Sequence, residues 1–404
     1  MALDIASIYK DLHANPELSF QETRTAGTVA ETLTSLGYTV HTGVGRTGVV
    51  GYLDNGDGPT ALLRADMDGL PVEEQTGLPY ASTARAVDRE GKDVPVMHAC
   101  GHDVHVTCLL GAAERLIETR SEWSGKLILC FQPAEELGEG ALAMLEDGLY
   151  DLVPKPDVVL GQHVAPLPAG FIGLRPGDAM AASDSLNITL YGVGGHGSRP
   201  EAAVDPVLLA AAVVMRLQGV VSREVSAIDS AVVTVGQIHA GTKNNIIADR
   251  ATLGLSIRTY DPAVRERVLA AIERIVGAEA AASGSPADPE FVFEQSLPVT
   301  HNDPEASART AAALRTVVGE RGVLDPGLIT GSEDVSHLAT AAGAPLVFWF
   351  LGGAEPSLAA RIAETGKMPD DVPSNHSPFY APVMEPTLTL GVDAMVVAAR
   401  EWLA

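Results

Sequence analysis

At 404 residues the chain is too long for one ordinary hydrophobic core, so two domains are expected. Its 46% apolar and 20% charged composition is that of a globular protein, and runs such as "LLAAAVVM" and "APLVFWFLG" fall short of a membrane span. With 27 Lys plus Arg against 52 Asp plus Glu, the net charge of −25 repels phosphate backbones and anionic lipid, so neither a nucleic-acid nor a membrane partner is expected.

The opening "MALDIASIYKDLHANPELSF" lacks a basic start followed by an apolar run, so no secretory signal is expected. "ETRTAGTVAETLTSLG" reads as a helix closed by Gly37. Strand-like "TGVVGYL", "TALLRA", "KLILCF" and "DVVLGQH" alternate with helix-like "HVTCLLGAAERLIETR" and "GALAMLEDGLYD". Short unbroken apolar strands between helices predict an α/β domain with a mostly parallel sheet covered on both faces. Near Ser183 the pattern changes to strand "SLNITLYG", helix "DPVLLAAAVVMRLQGVVSRE", strands "AVVTVGQIHA" and "ATLGLSIRTY", helix "DPAVRERVLAAIERIVGAEAAA" and strand "EFVFEQSL". This β-α-β-β-α-β order predicts a ferredoxin-like α+β domain over 183–296, inserted into a domain formed by 1–182 and 297–404. The first style resumes in "ASARTAAALRTVVGE", "PLVFWFLGG" and a last helix, "PTLTLGVDAMVVAAREWLA".

"GVGRTG", Gly43 to Gly48, fits a dinucleotide fingerprint, but a strand-like run follows where that motif requires a helix. It reads as a Gly-rich turn.

Several strand-like runs end in polar clusters. "TALLRADMD" ends in Asp66 and Asp68, "KLILCFQPAEE" in Glu135 and Glu136, and "DVVLGQHV" in His163; "PLVFWFLGG" leads on to "PSNHSPF" with His376. Ligands of open α/β sheets bind beyond the carboxyl ends of the strands. Acidic and imidazole groups gathered there are costly to bury without a cation. "MHACGHDVHVTC" adds Cys100 and His102 two residues apart, which suits a loop, and thiolate plus imidazole suits zinc or another borderline metal. Cys108 and Cys130 read as core, and His98 and His105 as structural groups near the ligands. An odd count of three cysteines argues for a reducing, cytoplasmic setting and against a disulfide framework. Neighbouring Glu135 and Glu136 point different ways at a strand end, so one can hold metal while the other takes a proton from the reacting water.

Taken together, "DLHANPELSFQE", "LLRADMDGLPVEEQTGLPYAS", "MHACGHDVH", "FQPAEELGEGALAML", "GQHVAPLPAGFIG", "GGHGSRP", "GTKNNIIADRATLGLSIRT", "GSEDVSHL" and "NHSPF" resemble the metallo-amidohydrolases that include N-acyl-amino-acid amidohydrolases, hippurate hydrolases and auxin-conjugate hydrolases. The resemblance implies a zinc-exopeptidase-like catalytic domain with an inserted lid or dimerisation domain. It implies that Cys100, His102, Glu136, His163 and His376 hold two divalent ions, zinc first, with manganese, cobalt and nickel as the other candidates. Cys100 would bridge them and Glu135 would be the general base. His196 would come from the lid to stabilise the oxyanion, and Asn245 and Arg258 would bind the substrate carboxylate. Asp68 and Asp103 would support the ligands from behind. The implied reaction is metal-dependent hydrolysis of N-acyl-amino acids by a homodimer or higher homo-oligomer. A dipeptidase or carboxypeptidase on the same scaffold is the nearest rival, and a non-catalytic metal sensor the distant one. "NNIIAD" carries Ala248 where the family pattern has proline.

Overall fold

The computed structural model describes residues 3–403 and divides into two compact units. The larger takes the chain up to Ala179, then His301–Leu328 and everything from Asp334 on. Its eight-stranded sheet runs in the order Thr39–Val44, Gly48–Asn55, Gly125–Gln132, Thr60–Asp66, Val158–Pro168, Leu346–Ala354, Ile172–Gly173, Val323–Leu324. The four central strands, from Gly125–Gln132 to Leu346–Ala354, are mutually parallel. Every residue of Thr60–Asp66 is buried, as expected for a strand covered on both faces.

The "GVGRTG" segment is the hairpin turn between the two outermost antiparallel strands, with Gly43, Gly45 and Arg46 at φ 75, 63 and 80. Gly37 closes the helix Thr23–Leu36 at φ 94. The "GALAMLEDGLYD" pattern splits into two short helices because Gly148 turns left-handed between them. A first helix, Ile5–Ala14, was not read from its sequence; Asp4 caps it by accepting from the Ser7 amide at 3.0 Å. "ARAVDREGKDVPV" forms a small hairpin, Arg85–Val87 with Asp93–Pro95. The helices His102–Glu118 and Met384–Leu403 pack closely because glycines face the contact. A Cβ on Gly111 would lie 2.6 Å from Val392 Cγ2, and one on Gly391 would lie 2.5 Å from Cys108 Sγ. Cys108 and Cys130 are free and fully buried.

The smaller unit comprises Met180–Thr300 with Ile329–Glu333. Its antiparallel sheet has the order Ala231–Ala240, Arg250–Thr259, Ala182–Tyr191, Glu290–Leu297, which is the ferredoxin-like arrangement. Helices Pro206–Glu224 and Pro262–Ala282 start with proline after the capping residues Asp205 and Asp261. They share a core with Leu186, Ile188, Leu253, Leu255 and Ile257 of the sheet. By length and composition Pro206–Glu224 is apolar enough to cross a membrane, contrary to the sequence expectation. Leu209, Val213, Leu217 and Val220 pack into that core, while Leu208 and Met215 on the opposite side are exposed. Ile329–Glu333 joins the unit through the Ala181 amide, which donates to Ile329 and Gly331 carbonyls at 3.1 and 3.0 Å.

Candidate metal centre

A buried cation sits beneath the site. Arg64, 1% exposed, lies within the apolar strand Thr60–Asp66. Its guanidinium donates to Asp66 at 2.6 Å, Gln132 at 2.9 Å and Asp334 at 3.1 Å. Asp334 also accepts from Gln132 Nε2 at 2.6 Å and the Ala141 amide at 3.0 Å. Burial opposes a charge on Asp66, but Arg64, His102 and His105 outweigh it and hold its carboxyl well below the usual range. Arg64 and its partners thereby tie the carboxyl ends of neighbouring strands together.

Gly101 aims the next two candidates. It stands at φ 83 ahead of the helix His102–Glu118, and a Cβ there would lie 2.4 Å from Val164 Cγ1. Cys100 therefore sits in the turn and His102 in the helix's first turn. His102 Nδ1 faces Asp68 Oδ1 at 3.2 Å, the carboxylate–histidine pairing that leaves Nε2 for a metal. Asp68 also accepts from the amides of Glu135 and Glu136 at 3.1 and 3.0 Å and from Ser19 Oγ at 2.6 Å. One carboxylate thus orients His102 and both glutamates.

The five candidate ligands meet. Cys100 Sγ is 3.5 Å from His163 Nε2, His102 Nε2 is 3.9 Å from Glu136 Oε1, and His376 Nε2 is 3.4 Å from Glu136 Oε2. Cys100, His102 and Glu136 offer donor atoms within 4.8 Å of one another. Glu135 Oε2 is 3.9 Å from His102 Nε2. His163 donates from Nδ1 to the Val164 carbonyl at 2.8 Å, and burial beside His105 holds its pKa well below the usual histidine range. His376 is held at φ 70, with its amide on the Ala99 carbonyl at 2.8 Å.

This donor set fits divalent ions. Among the described residues, His102 Nε2 and Glu136 Oε1 are buried atoms without a hydrogen-bond partner, and both face the cluster. The cluster also demands positive charge. Burial, opposed by His102 but reinforced by Asp68 and Asp66, raises Glu136 to about 8. Burial next to Glu136 pushes the Cys100 thiol well up. Asp66 and Asp68, against burial, push His102 well up.

His105 is fully engaged: Nδ1 bonds Asp66, and Nε2 accepts from the Val164 amide at 2.8 Å. His98 is 2% exposed, neither ring nitrogen bonds any of the described residues, and burial lowers its pKa to about 4. The Asp103 carboxylate turns to His13 instead, accepting from Nδ1 at 2.6 Å, and His13 Nε2 donates to Glu74 at 3.0 Å. Asn375 was missed by sequence reasoning; its Nδ2 donates to the Cys100 and Val164 carbonyls at 3.1 and 3.2 Å. Arg64 and Asp334 were missed too, although an arginine inside "TALLRAD" is itself a signal, because a buried guanidinium requires acceptors.

In the smaller unit, His196 pairs with Ile246 in a two-stranded ribbon, and Gly197 donates to the Asn245 carbonyl at 2.8 Å. His196 and Asn245 are thus neighbours. Arg258 lies toward the far end of the strand Arg250–Thr259, where Nη1 donates to Ser332 Oγ at 2.5 Å.

The family model described as Peptidase family M20/M25/M40 matches residues 62–372. Thermostable carboxypeptidase 2 of Saccharolobus solfataricus is 38% identical over 356 residues, covering 86% of this chain and 85% of that one. The hippurate hydrolase of Campylobacter jejuni is 41% identical over 322 residues, covering 79% of this chain and 80% of that one. Among solved structures, the Bacillus subtilis YXEP protein, described as a dinuclear metal binding peptidase from the M20 family, superposes with a TM-score of 0.78 at 28% identity, covering 99% of this chain and 97% of that one. With its motifs, its fold and its cluster of donor atoms all in that register, the chain belongs to the M20/M25/M40 peptidase family of metal-dependent hydrolases acting on amide bonds.

Proposed function

We propose that the protein hydrolyses the amide of N-acyl-amino acids, releasing a carboxylic acid and a free amino acid. The observation that carries this reading is the adjacent pair Glu135–Glu136. Glu136 lies between His102 and His376, while the neighbouring Glu135 reaches the same donor cluster from the other side of one peptide bond. Cys100, His102, Glu136, His163 and His376 would hold two divalent ions, with zinc favoured by the thiol and imidazoles. Bound ions supply Lewis acidity toward the amide carbonyl and water. Glu135 takes the proton of the attacking water as its oxygen bonds to the carbonyl carbon. It returns that proton to the nitrogen as the C–N bond breaks.

His196 donates to the oxyanion, and Asn245 and Arg258 receive the substrate carboxylate, Arg258 in a bidentate manner. Placement in the smaller unit supports a division of labour between protomers of a homodimer. The ribbon with His196 and Asn245 adjoins the Arg250 end of its strand, and eight residues of extended chain separate Arg250 from Arg258, about 26 Å. One small substrate cannot span that, so His196 and Asn245 from one protomer would serve the site that takes Arg258 from its partner. Mixing His196→Ala chains with Glu135→Gln chains should then give more activity than either parent; subunit exchange without recovery would refute action in trans.

The 38% identity to a thermostable carboxypeptidase favours a second reading, a carboxypeptidase. A panel of acetyl-, benzoyl-, long-acyl- and indole-acetyl-amino acids set against dipeptides and blocked peptides decides between them. Preference for N-acyl substrates by kcat/KM supports the amidohydrolase, whereas preference for peptides rejects it. The three unpaired cysteines support a reducing, cytoplasmic setting.

A further inference from the structure

The turn that presents Glu135 and Glu136 is a single 3-10 turn, Glu135–Leu137, preceded by Ala134 at φ 49. Leading amides of a helical turn have no partner within it. Here three successive ones go to two carboxylates from the first part of the chain. The Ala134 amide donates to Glu22 Oε1 at 2.9 Å, and those of Glu135 and Glu136 to Asp68. Glu22 is fully buried. Its Oε1 also accepts from the Phe20 amide at 2.9 Å, and its Oε2 takes the Thr47 hydroxyl at 2.5 Å.

Ala134 and Phe20 share an unusual property. Both are non-glycine residues in the left-handed region, at φ 49 and 61, which L side chains disfavour. Such backbone persists where surrounding structure over-determines it. The common anchor of these two residues is one carboxylate oxygen of Glu22.

We infer that Glu22 is a positioning residue for hydrolysis: by anchoring Ala134 in its left-handed conformation it sets the direction in which Glu135 and Glu136 leave the strand end. This rests on the reading of Glu135 as base and Glu136 as ligand. Glu22 bonds the Phe20 and Ala134 amides and the Thr47 hydroxyl, so it acts on the candidate ligands through the backbone that carries them. Released, Ala134 would relax toward negative φ and swing both glutamates together.

Three substitutions grade the anchor. Glu22→Gln keeps an acceptor oxygen in place, Glu22→Asp withdraws it by one methylene, and Glu22→Met keeps the bulk and deletes it. With saturating divalent metal, Glu22→Met should lose about 10–100-fold in kcat, the usual scale for outer groups that orient a metal site, with KM changed less than about threefold. Glu22→Gln should keep at least about tenfold more kcat than Glu22→Met, and Glu22→Asp should fall between them. Ala134→Gly in the Glu22→Met background should recover part of kcat, because glycine accepts that φ without the anchor. If Glu22→Met does not fold, the Gln-to-Asp comparison, with fold checked by circular dichroism, carries the test. Equal kcat across the folded variants overturns the inference, as does a loss confined to KM. Glu135→Gln assayed alongside separates the failures. If it is inactive while the Glu22 series is flat, only the inference falls. If it is fully active, the assignment of Glu135 falls and takes the inference with it.

Discussion

His13 shows how a single side chain can be fixed by its partners. Burial alone would lower its pKa, but hydrogen bonds donated to Asp103 and Glu74 outweigh that and raise it to about 10. A group whose pKa is higher folded than unfolded adds stability fully below its unfolded value, and loses it as pH rises through the folded value. Stability should therefore decline between about pH 6.5, the ordinary histidine value, and about 10. His13→Gln should flatten that decline; urea midpoints measured at pH 6 and pH 9.5 check it, and an identical decline in the variant would disprove the assignment. The two glutamates make a second contrast. Glu135→Gln should keep its metal and lose roughly 10²–10⁴ in kcat, since only proton transfer is removed. Glu136→Gln should lose metal as well, because its oxygens face His102 and His376. Elemental analysis beside kinetics separates them, and equal metal loss in both would reject the division of roles. The types at these positions were legible as polar ends on apolar runs. Asp68 was read as a supporting group but not as the acceptor for two glutamate amides, because a hydrogen bond across 67 residues leaves no local trace.

Elements carry the site into place through a few close approaches. The helix His102–Glu118 presents His102 only because Gly101 turns against Val164, and its far side is held by the last helix across Gly111 and Gly391. A methyl on Gly391 would meet Cys108 Sγ, Leu351 Cδ2 at 2.8 Å and Gln162 Nε2 at 2.9 Å, none of them free to leave a buried contact. Gly391→Ala should cost about 1–3 kcal/mol by overpacking, with metal content near normal in the folded fraction. Chemical denaturation reads it, and unchanged stability would mean that the helices shift apart without penalty. Periodicity announced both helices, while nothing in either showed that Gly111 would meet Val392 and Gly391 would meet Cys108. "GALAMLEDGLYD" was read as one helix for the same kind of reason: the pattern continues past Gly148, but the left-handed φ of 82 does not.

At the scale of the molecule the candidate ligands run from Cys100 to His376 of one chain, so ions should tie the larger unit together. Chelation should abolish activity and lower the thermal midpoint, and a divalent metal should restore both; full activity in metal-free protein would end the mechanism. Thiol titration gives a reading independent of catalysis. Cys108 and Cys130 are fully buried core residues and should stay unreactive with or without metal, whereas Cys100 should react only after metal removal, since a coordinated thiolate is tied up by its ion. Equal Cys100 reactivity with and without metal would return it to the core.

What the sequence by itself determined is what local pattern can encode: apolar strands ending in acids and histidines, most helices and the Gly37 cap, the β-α-β-β-α-β run, and motifs whose combination resembles one family. Tertiary structure decided which partners those groups meet. Arg64 needed Asp334, 270 residues away, to be tolerated inside a strand. Glu22 needed Ala134, and the loop Ile329–Glu333 joined a unit whose last sheet strand ends some thirty residues earlier. The physical reason is the same throughout. Backbone propensity and burial depend on neighbours a few residues away, whereas a buried charge or a strained turn is stabilised by groups that only folding brings near.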